Sequence, residues 1–291
     1  MSAPDGAKPT PRLPDLKLHR ALDGMLEGKV GIVTGASHGI GAATAAAFAR
    51  AGADVVVAAR NEDALKSVAE SISSSSGREV LAVVADVTDP SSARRLVERT
   101  RERFGRLDVA FNNAGEGHRP APLAEVAVED FDRAIAVNAR GTFLCMKYEI
   151  PAMLAKGGGA IVNMSSTAGL EGVKGIAGYV AGKHAIIGLT RTAAMDYGRQ
   201  NLRVNAVAPG PIFTERLADP GVRELASRAV PAGRVGDREE VAAAVVWLCS
   251  DLASFVTGAV LAVDGGRTSG VWFQEQATAK GLPRPDQART S

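Results

Sequence analysis

Short runs of β-branched and apolar residues alternate along this chain with longer, alanine-rich stretches of helical period. Seven runs predict strands: Lys29–Val33, Asp54–Ala59, Val80–Ala85, Leu107–Phe111, Gly159–Met164, Arg203–Val207 and Val260–Val263. Several are continuously apolar rather than alternating, the pattern of strands buried on both faces. Between them the pattern predicts helices, among them Gly39–Ala51, Glu62–Ser73 and Pro90–Phe104. Asp89 and Pro90 supply an N-cap followed by proline at the first helical position. Longer helices are predicted over Val128–Ala155 and Gly178–Gly198, and Ser73–Ser76 reads as a helix end and surface loop. Alternation at this spacing implies right-handed crossovers and a doubly wound, seven-stranded parallel α/β sheet with helices on both faces. No linker interrupts it. Residues 26–266 are expected to form one domain, with a flexible leader over 1–25 and a tail over 267–291. Trp272 and Phe273 are apolar exceptions in that tail, expected to dock on this chain or on a neighbouring subunit.

Composition narrows the class. Of 291 residues 46% are hydrophobic, ample for a sizeable core. The 34 basic and 32 acidic residues nearly cancel, so nothing in the charge suggests a nucleic-acid or acidic-membrane partner. Cys145 and Cys249 lie in apolar helical stretches and read as buried thiols rather than a disulfide framework. No Cys and His spacing suggests a metal site. The N-terminal segment lacks the apolar core of a signal peptide, and the longest apolar run, Val241–Cys249, is too short to span a bilayer. A cytoplasmic protein is the expectation.

Two features carry chemistry. The first strand runs into Thr34-Gly35-Ala36-Ser37-His38-Gly39-Ile40-Gly41 and then a helix. Gly35 allows a tight turn, Gly39 lets backbone approach a pyrophosphate, and Gly41 lets helix and strand pack closely. Phosphates would sit at the helix N-terminus, where free N–H groups and the dipole favour anions. Further along, Tyr179 and Lys183 are four residues apart, on one face of a helix. The ammonium can favour the phenolate and lower the tyrosine pKa. Poising a tyrosine near neutrality needs a drop of roughly 3 units, or about 4 kcal/mol. Tyr179 is thereby a candidate general acid/base. The pair alone is a weak signal.

With these motifs in order, the chain resembles the short-chain dehydrogenase/reductase family, in its compact single-domain branch, over about residues 26–266. It resembles 3-oxoacyl reductase-like and glucose dehydrogenase-like members. Thr34–Gly41 matches the dinucleotide turn. Asp86, ending the third strand, matches the residue that holds the adenine amino group. Asn112-Asn113-Ala114-Gly115 matches the motif after the fourth strand. Pro209-Gly210, with Ile212 and Thr214, matches the segment at the nicotinamide end. Asn138, Ser166, Tyr179 and Lys183 match the catalytic four. The resemblance implies that Tyr179 exchanges a proton with the substrate oxygen while Ser166 hydrogen-bonds it. The family's interval of 13 residues selects Ser166 over Ser165. Lys183 would lower the Tyr179 pKa and hold the nicotinamide ribose. Asn138 would sit in a local disturbance of the long helix and hold a water.

The expected cofactor contacts are therefore Gly35, Ser37, His38, Gly39, Ile40, Gly41, Arg60, Asn61, Asp86, Val87, Asn113, Ala114, Gly115, Tyr179, Lys183, Pro209, Gly210, Ile212 and Thr214. The second strand ends in alanine followed by Arg60, not in a carboxylate. A guanidinium suits the 2′-phosphate of NADP, so NADP(H) is favoured over NAD(H). Candidate substrate-pocket residues are Glu116, Gly117 and His118, then Ala168–Val173, and a lid over Phe213–Val230. Small and apolar residues on the two long helices imply, with the resemblance, a homotetramer. The expected activity is carbonyl reduction. The alternatives are a nucleotide sensor without turnover, against which the complete catalytic four argue, and an epimerase or dehydratase, against which the short region after Gly266 argues.

Overall fold

The computed structural model describes residues 22–214 and 218–270. Seven parallel strands form one sheet: β1 (Val30–Thr34), β2 (Asp54–Ala59), β3 (Val80–Val84), β4 (Val109–Asn112), β5 (Gly159–Met164), β6 (Leu202–Pro209) and β7 (Val260–Val263). Their order is β3-β2-β1-β4-β5-β6-β7. Every strand expected from the pattern is present: β2, β5 and β7 have the expected bounds, and the ends of the others move by one or two residues. Asp86 lies two residues beyond the end of β3 rather than closing it. The order reverses direction between β1 and β4. In open α/β sheets the crevice outside the strand ends at such a point is where ligands bind.

The continuous apolar runs are explained by two cores. On one face, α1 (Gly39–Arg50), α2 (Glu62–Ser76) and a late helix, Arg238–Cys249, bury Phe48, Leu65, Val241 and Val246 against Val55, Val57 and Phe111. On the other, α3 (Pro90–Phe104), α5 (Gly141–Leu154) and α6 (Ala177–Tyr197) bury Leu96, Met153 and Ala193 against Ile32, Val56 and Ile161. Each large side chain so buried contributes about 2–3 kcal/mol of transfer free energy.

Local signals set the helix ends. Asn61 Oδ1 accepts from the Ala64 N–H, and the Asp89 carboxylate accepts from Ser91 and Ser92. The serine run corrects an expectation: α2 continues through Ser76. Ser75 and Ser76 hydroxyls donate back to the carbonyls of Ser71 and Ile72, and Gly77, at φ +67°, ends the helix in the left-handed region. The long helix expected over Val128–Ala155 is three pieces. They are α4 (Val128–Ile135), a wider π turn over Ala136–Arg140, and α5. Asn138 is in that π turn, as a disturbance there implied. After β6 come α7 (Pro220–Arg228) and α8 (Arg238–Cys249).

The described residues include a few on either side of 26–266. Leu22 is buried in the core, although it falls in the expected leader. Past Gly266, Thr268 is bonded to the Asp264 carboxylate and Arg267 to Glu171. Trp272 and Phe273 lie outside the described residues. Both cysteines are free and buried. Among the described residues no helix is long and apolar enough to cross a membrane, and no group of three or more His, Cys, Asp or Glu could hold a metal.

Candidate active site

The crevice at the β1–β4 reversal opens into two adjoining cavities. One, of about 430 Å³, is lined by Ser37, Arg60, Asn61, Asp86, Val87 and Glu116, among others. The other, of about 500 Å³, is lined by Ile40, Ser166, Tyr179, Lys183, Pro209 and Thr214, among others. Gly35, His38, Ala114 and Gly115 line both. Gly39, Gly41, Asn113, Gly210 and Ile212 line the second. The expected cofactor contacts thus form one continuous cleft.

The glycines of the first turn are fixed by space. Gly35 has φ +63°, and a Cβ there would lie 2.8 Å from Asn113 Nδ2. A Cβ on Gly41 would lie 2.3 Å from the Gly35 carbonyl oxygen. No larger residue fits either place without moving backbone. Asn113 is a strut of this turn: its Nδ2 donates to the Thr34 and Gly35 carbonyls, and its N–H donates to Thr34 Oγ1. The Asp86 carboxylate accepts from the N–H and hydroxyl of Thr88. His38 precedes α1 and shares a 3.0 Å hydrogen bond with Ser37 Oγ. Ile212 is buried, and it forms an isolated parallel bridge with Gly236.

The four residues expected to carry chemistry converge from separate elements. Ser166 follows β5, Tyr179 and Lys183 sit on α6, and Asn138 sits in the π turn, a feature frequent at functional sites. A Cβ on Gly115 would lie 2.9 Å from Asn138 Oδ1 and 3.1 Å from Lys183 Nζ, so this glycine leaves the space between them open. Lys183 Nζ lies 5.4 Å from the Tyr179 ring centre and donates to the Met164 carbonyl at 2.8 Å. Burial lowers the Lys183 pKa to about 7. The two serines part company. Ser165 is buried and donates to the Lys183 carbonyl, whereas half-buried Ser166 accepts from the Ala168 N–H.

Three of the candidate substrate-pocket residues have partners of their own. Glu116 lines the cavity near Arg60, with its carboxylate 3.7 Å from the Arg60 guanidinium and 2.9 Å from that of Arg133. His118 packs against the start of α6. Glu171 pairs with Arg267. Spacing in sequence carried no sign of these partners, because each comes from a distant element.

The cleft fits a dinucleotide. Gly35 and Gly41 leave a cradle that a Cβ would fill, and the cleft runs from the first turn to the Tyr179–Lys183 pair. Buried Asn138 Oδ1 has no hydrogen-bond partner, and it faces the space that Gly115 leaves open.

A family model described as enoyl-(acyl carrier protein) reductase matches residues 35–268. The A-factor type gamma-butyrolactone 1'-reductase (1S-forming) of Streptomyces virginiae is 47% identical over 251 residues, covering 84% of this chain and 97% of that protein. Cyclohexanol dehydrogenase of Acinetobacter sp. (strain SE19) is 42% identical over 252 residues, covering 87% of this chain and 100% of that one. The crystal structure of levodione reductase matches with a TM-score of 0.81 at 35% identity, over 84% of this chain and 100% of that chain. The chain belongs to the short-chain dehydrogenase/reductase family. It is an oxidoreductase acting on C–OH and C=O groups with a nicotinamide cofactor.

Proposed function

We propose that this protein is an NADP-preferring carbonyl reductase whose proton chemistry is carried by Tyr179. The observation that carries this reading is the single cleft in which a glycine-cradled turn leads to Ser166, Tyr179 and Lys183. When bound, the nicotinamide supplies or takes the hydride. The chain's part is to orient the carbonyl and move a proton. Ser166 Oγ donates to the substrate oxygen and fixes its direction. Tyr179 Oη gives a proton to that oxygen in reduction and removes it in oxidation. Lys183, beside the ring, favours the phenolate that reduction leaves behind. Asn138, with Oδ1 unpartnered, orders a water at the inner end of that path. Gly35, Ser37, Gly39, Ile40 and Gly41 hold the pyrophosphate. Asp86, Val87 and Asn61 line the adenosine end, and Pro209, Gly210, Ile212 and Thr214 the nicotinamide end.

Arg60, exposed at the adenosine end, suits a 2′-phosphate, which supports NADP over NAD. The relatives above are named for a lactone, a cyclohexanol and levodione, which points to a compact carbonyl substrate. Phe143 on α5 and Met195 on α6 are exposed apolar side chains, and Gly188 has open space over it. These features support assembly through the long helices as a homotetramer, which light scattering at micromolar concentration tests. The activity test is oxidation of NADPH and of NADH across compact ketones, diketones and acyl thioesters, by wild type and Tyr179→Phe. Turnover favouring NADPH that vanishes in the variant is expected. Undiminished turnover by the variant would overturn the reading.

A further inference from the structure

The loop after β4 is laced to both elements that bear the reactive groups. Asn138 Nδ2, from the π turn, donates to the Glu116 carbonyl at 2.7 Å. The Ala121 N–H donates to the Gly175 carbonyl at 2.9 Å, just before α6. Between these two ties stands His118. Its Nε2 lies 3.1 Å from the Gly178 nitrogen and its Nδ1 lies 2.9 Å from the Arg119 carbonyl oxygen. The Gly178 N–H can only donate, and the Arg119 carbonyl can only accept. The two bonds together select the neutral imidazole with its proton on Nδ1.

Gly178 is the second residue of α6 and the one before Tyr179. Its N–H belongs to the first turn of the helix, whose N–H groups have no partner inside the helix. Ile176, at the N-cap position, gives no side-chain bond. The imidazole from a loop some sixty residues away takes that place. The site is also tight. A Cβ on Gly178 would lie 3.1 Å from Ala134 Cβ, 3.2 Å from Phe131 Cα and 3.3 Å from His118 Cδ2. The start of α6 is thus wedged between α4 and the His118 ring.

We infer that His118 is a positioning residue: by capping Gly178 from the β4 loop, it fixes the first turn of α6 and with it the Tyr179 hydroxyl. The inference rests on the reading of Tyr179 as the acid/base. It assigns His118 no contact with substrate or cofactor and no proton in the reaction. A displacement of about 1 Å at a reacting group can cost about 100-fold in rate, so loss of the cap falls on kcat.

The experiment compares His118→Ala, His118→Gln and Tyr179→Phe with wild type. It reads kcat on a ketone substrate and the dissociation constant of NADPH by fluorescence. Gln carries an acceptor oxygen near the position of Nε2. Expected are a fall in kcat of about 10- to 100-fold in His118→Ala, recovery of most of it in His118→Gln, and an unchanged NADPH dissociation constant in both. Wild-type kcat in His118→Ala overturns the inference. So does a Gln variant as slow as the Ala variant, or a parallel loss of NADPH binding, which would mark general loosening. Nitrogen-15 NMR of the imidazoles in wild type keeps the inference testable should both variants misfold. A His118 ring protonated on Nε2 at alkaline pH overturns it. If Tyr179→Phe keeps its turnover, the acid/base reading fails, whatever His118 does.

Discussion

Ser165 Oγ donates to the Lys183 carbonyl oxygen at 3.0 Å, which ties the end of β5 to the second turn of α6. The adjacent Ser166, half-buried and lining the cleft, accepts from the Ala168 N–H. Neighbouring serines at the end of a strand point to opposite faces. Their substitution by alanine is therefore expected to separate stability from chemistry. Ser165→Ala removes a buried hydrogen bond and leaves a carbonyl without that partner, a cost of about 1–2 kcal/mol. Ser166→Ala is expected to melt near wild type and to lose about 100-fold or more in kcat. Thermal melts and steady-state rates on both variants check this, and the reverse assignment of effects would refute it.

Much of this was legible in the sequence, for physical reasons. A strand buried on both faces must be continuously apolar, so the buried inner strands such as β1, β2 and β4 announced themselves, and the β-branched runs of the edge strands β3 and β7 were enough to mark those. The turn glycines were legible because only glycine fits at Gly35 and Gly41. What could not be read were contacts between side chains far apart in the chain. The place of Glu116 after the fourth strand gives no hint of its partners, Arg60 and Arg133, which come from the end of β2 and from α4. The helical end of α2 depended on serine hydroxyls bonding back to carbonyls, which competes with the loop preference of serine. The polar cluster of Asn112, Glu149, Asn163 and Thr190 was hidden because, apart from Asn112 in its motif, its members look like ordinary polar residues one at a time.

That cluster predicts an unusual pH dependence of stability. Asn112 Nδ2 donates to Glu149 Oε2 at 2.9 Å, while Glu149 Oε1 and Asn112 Oδ1 are buried without partners. Burial raises the Glu149 pKa from 4.5 to about 7. The folded protein therefore binds a proton here more tightly than the unfolded chain. The stabilisation, about 3 kcal/mol when complete below pH 4.5, is lost progressively as pH rises from there through about 7. Glu149→Gln keeps the accepting oxygen, adds an N–H₂ donor for Asn112 Oδ1 and cannot ionise. Denaturant titrations should show the variant gaining stability over wild type above neutrality and little at pH 5. Parallel curves across that range would contradict the assignment.

Arg60 and Glu116 together set the expected cofactor preference. Arg60 is largely exposed, and its ion pair with Glu116, at 3.7 Å, is loose. Such a pair holds the guanidinium weakly, so a phosphate can take it over. Arg60→Ala should weaken NADPH binding about tenfold or more and leave NADH nearly unchanged. Glu116→Gln removes a negative charge next to the same guanidinium, and should tighten NADPH relative to NADH by a few-fold. Dissociation constants of both nucleotides for the three proteins decide it. An unaltered NADPH-to-NADH ratio in Arg60→Ala would remove the basis for preferring NADP.

Lys183 links cofactor binding to protons. With 2% of its surface exposed, its ammonium is penalised by burial, and its pKa falls from 10.5 to about 7. In the ligand-free protein the unfolded chain binds the extra proton between these values, so this group adds stability as pH rises from about 7 to 10.5. An anionic dinucleotide whose ribose oxygens accept from Nζ favours the ammonium instead, and raises that pKa again. Binding near pH 8 should then take up close to one proton, and NADPH affinity should decline with pH above neutrality. Near pH 6, where the lysine is already charged, this group takes up none. Calorimetric titration in buffers of different ionisation enthalpy measures the uptake directly. Lys183→Met, which has no proton to gain, is the control that assigns it. Equal heats in all buffers near pH 8 would show that the lysine is already an ammonium before the nucleotide arrives.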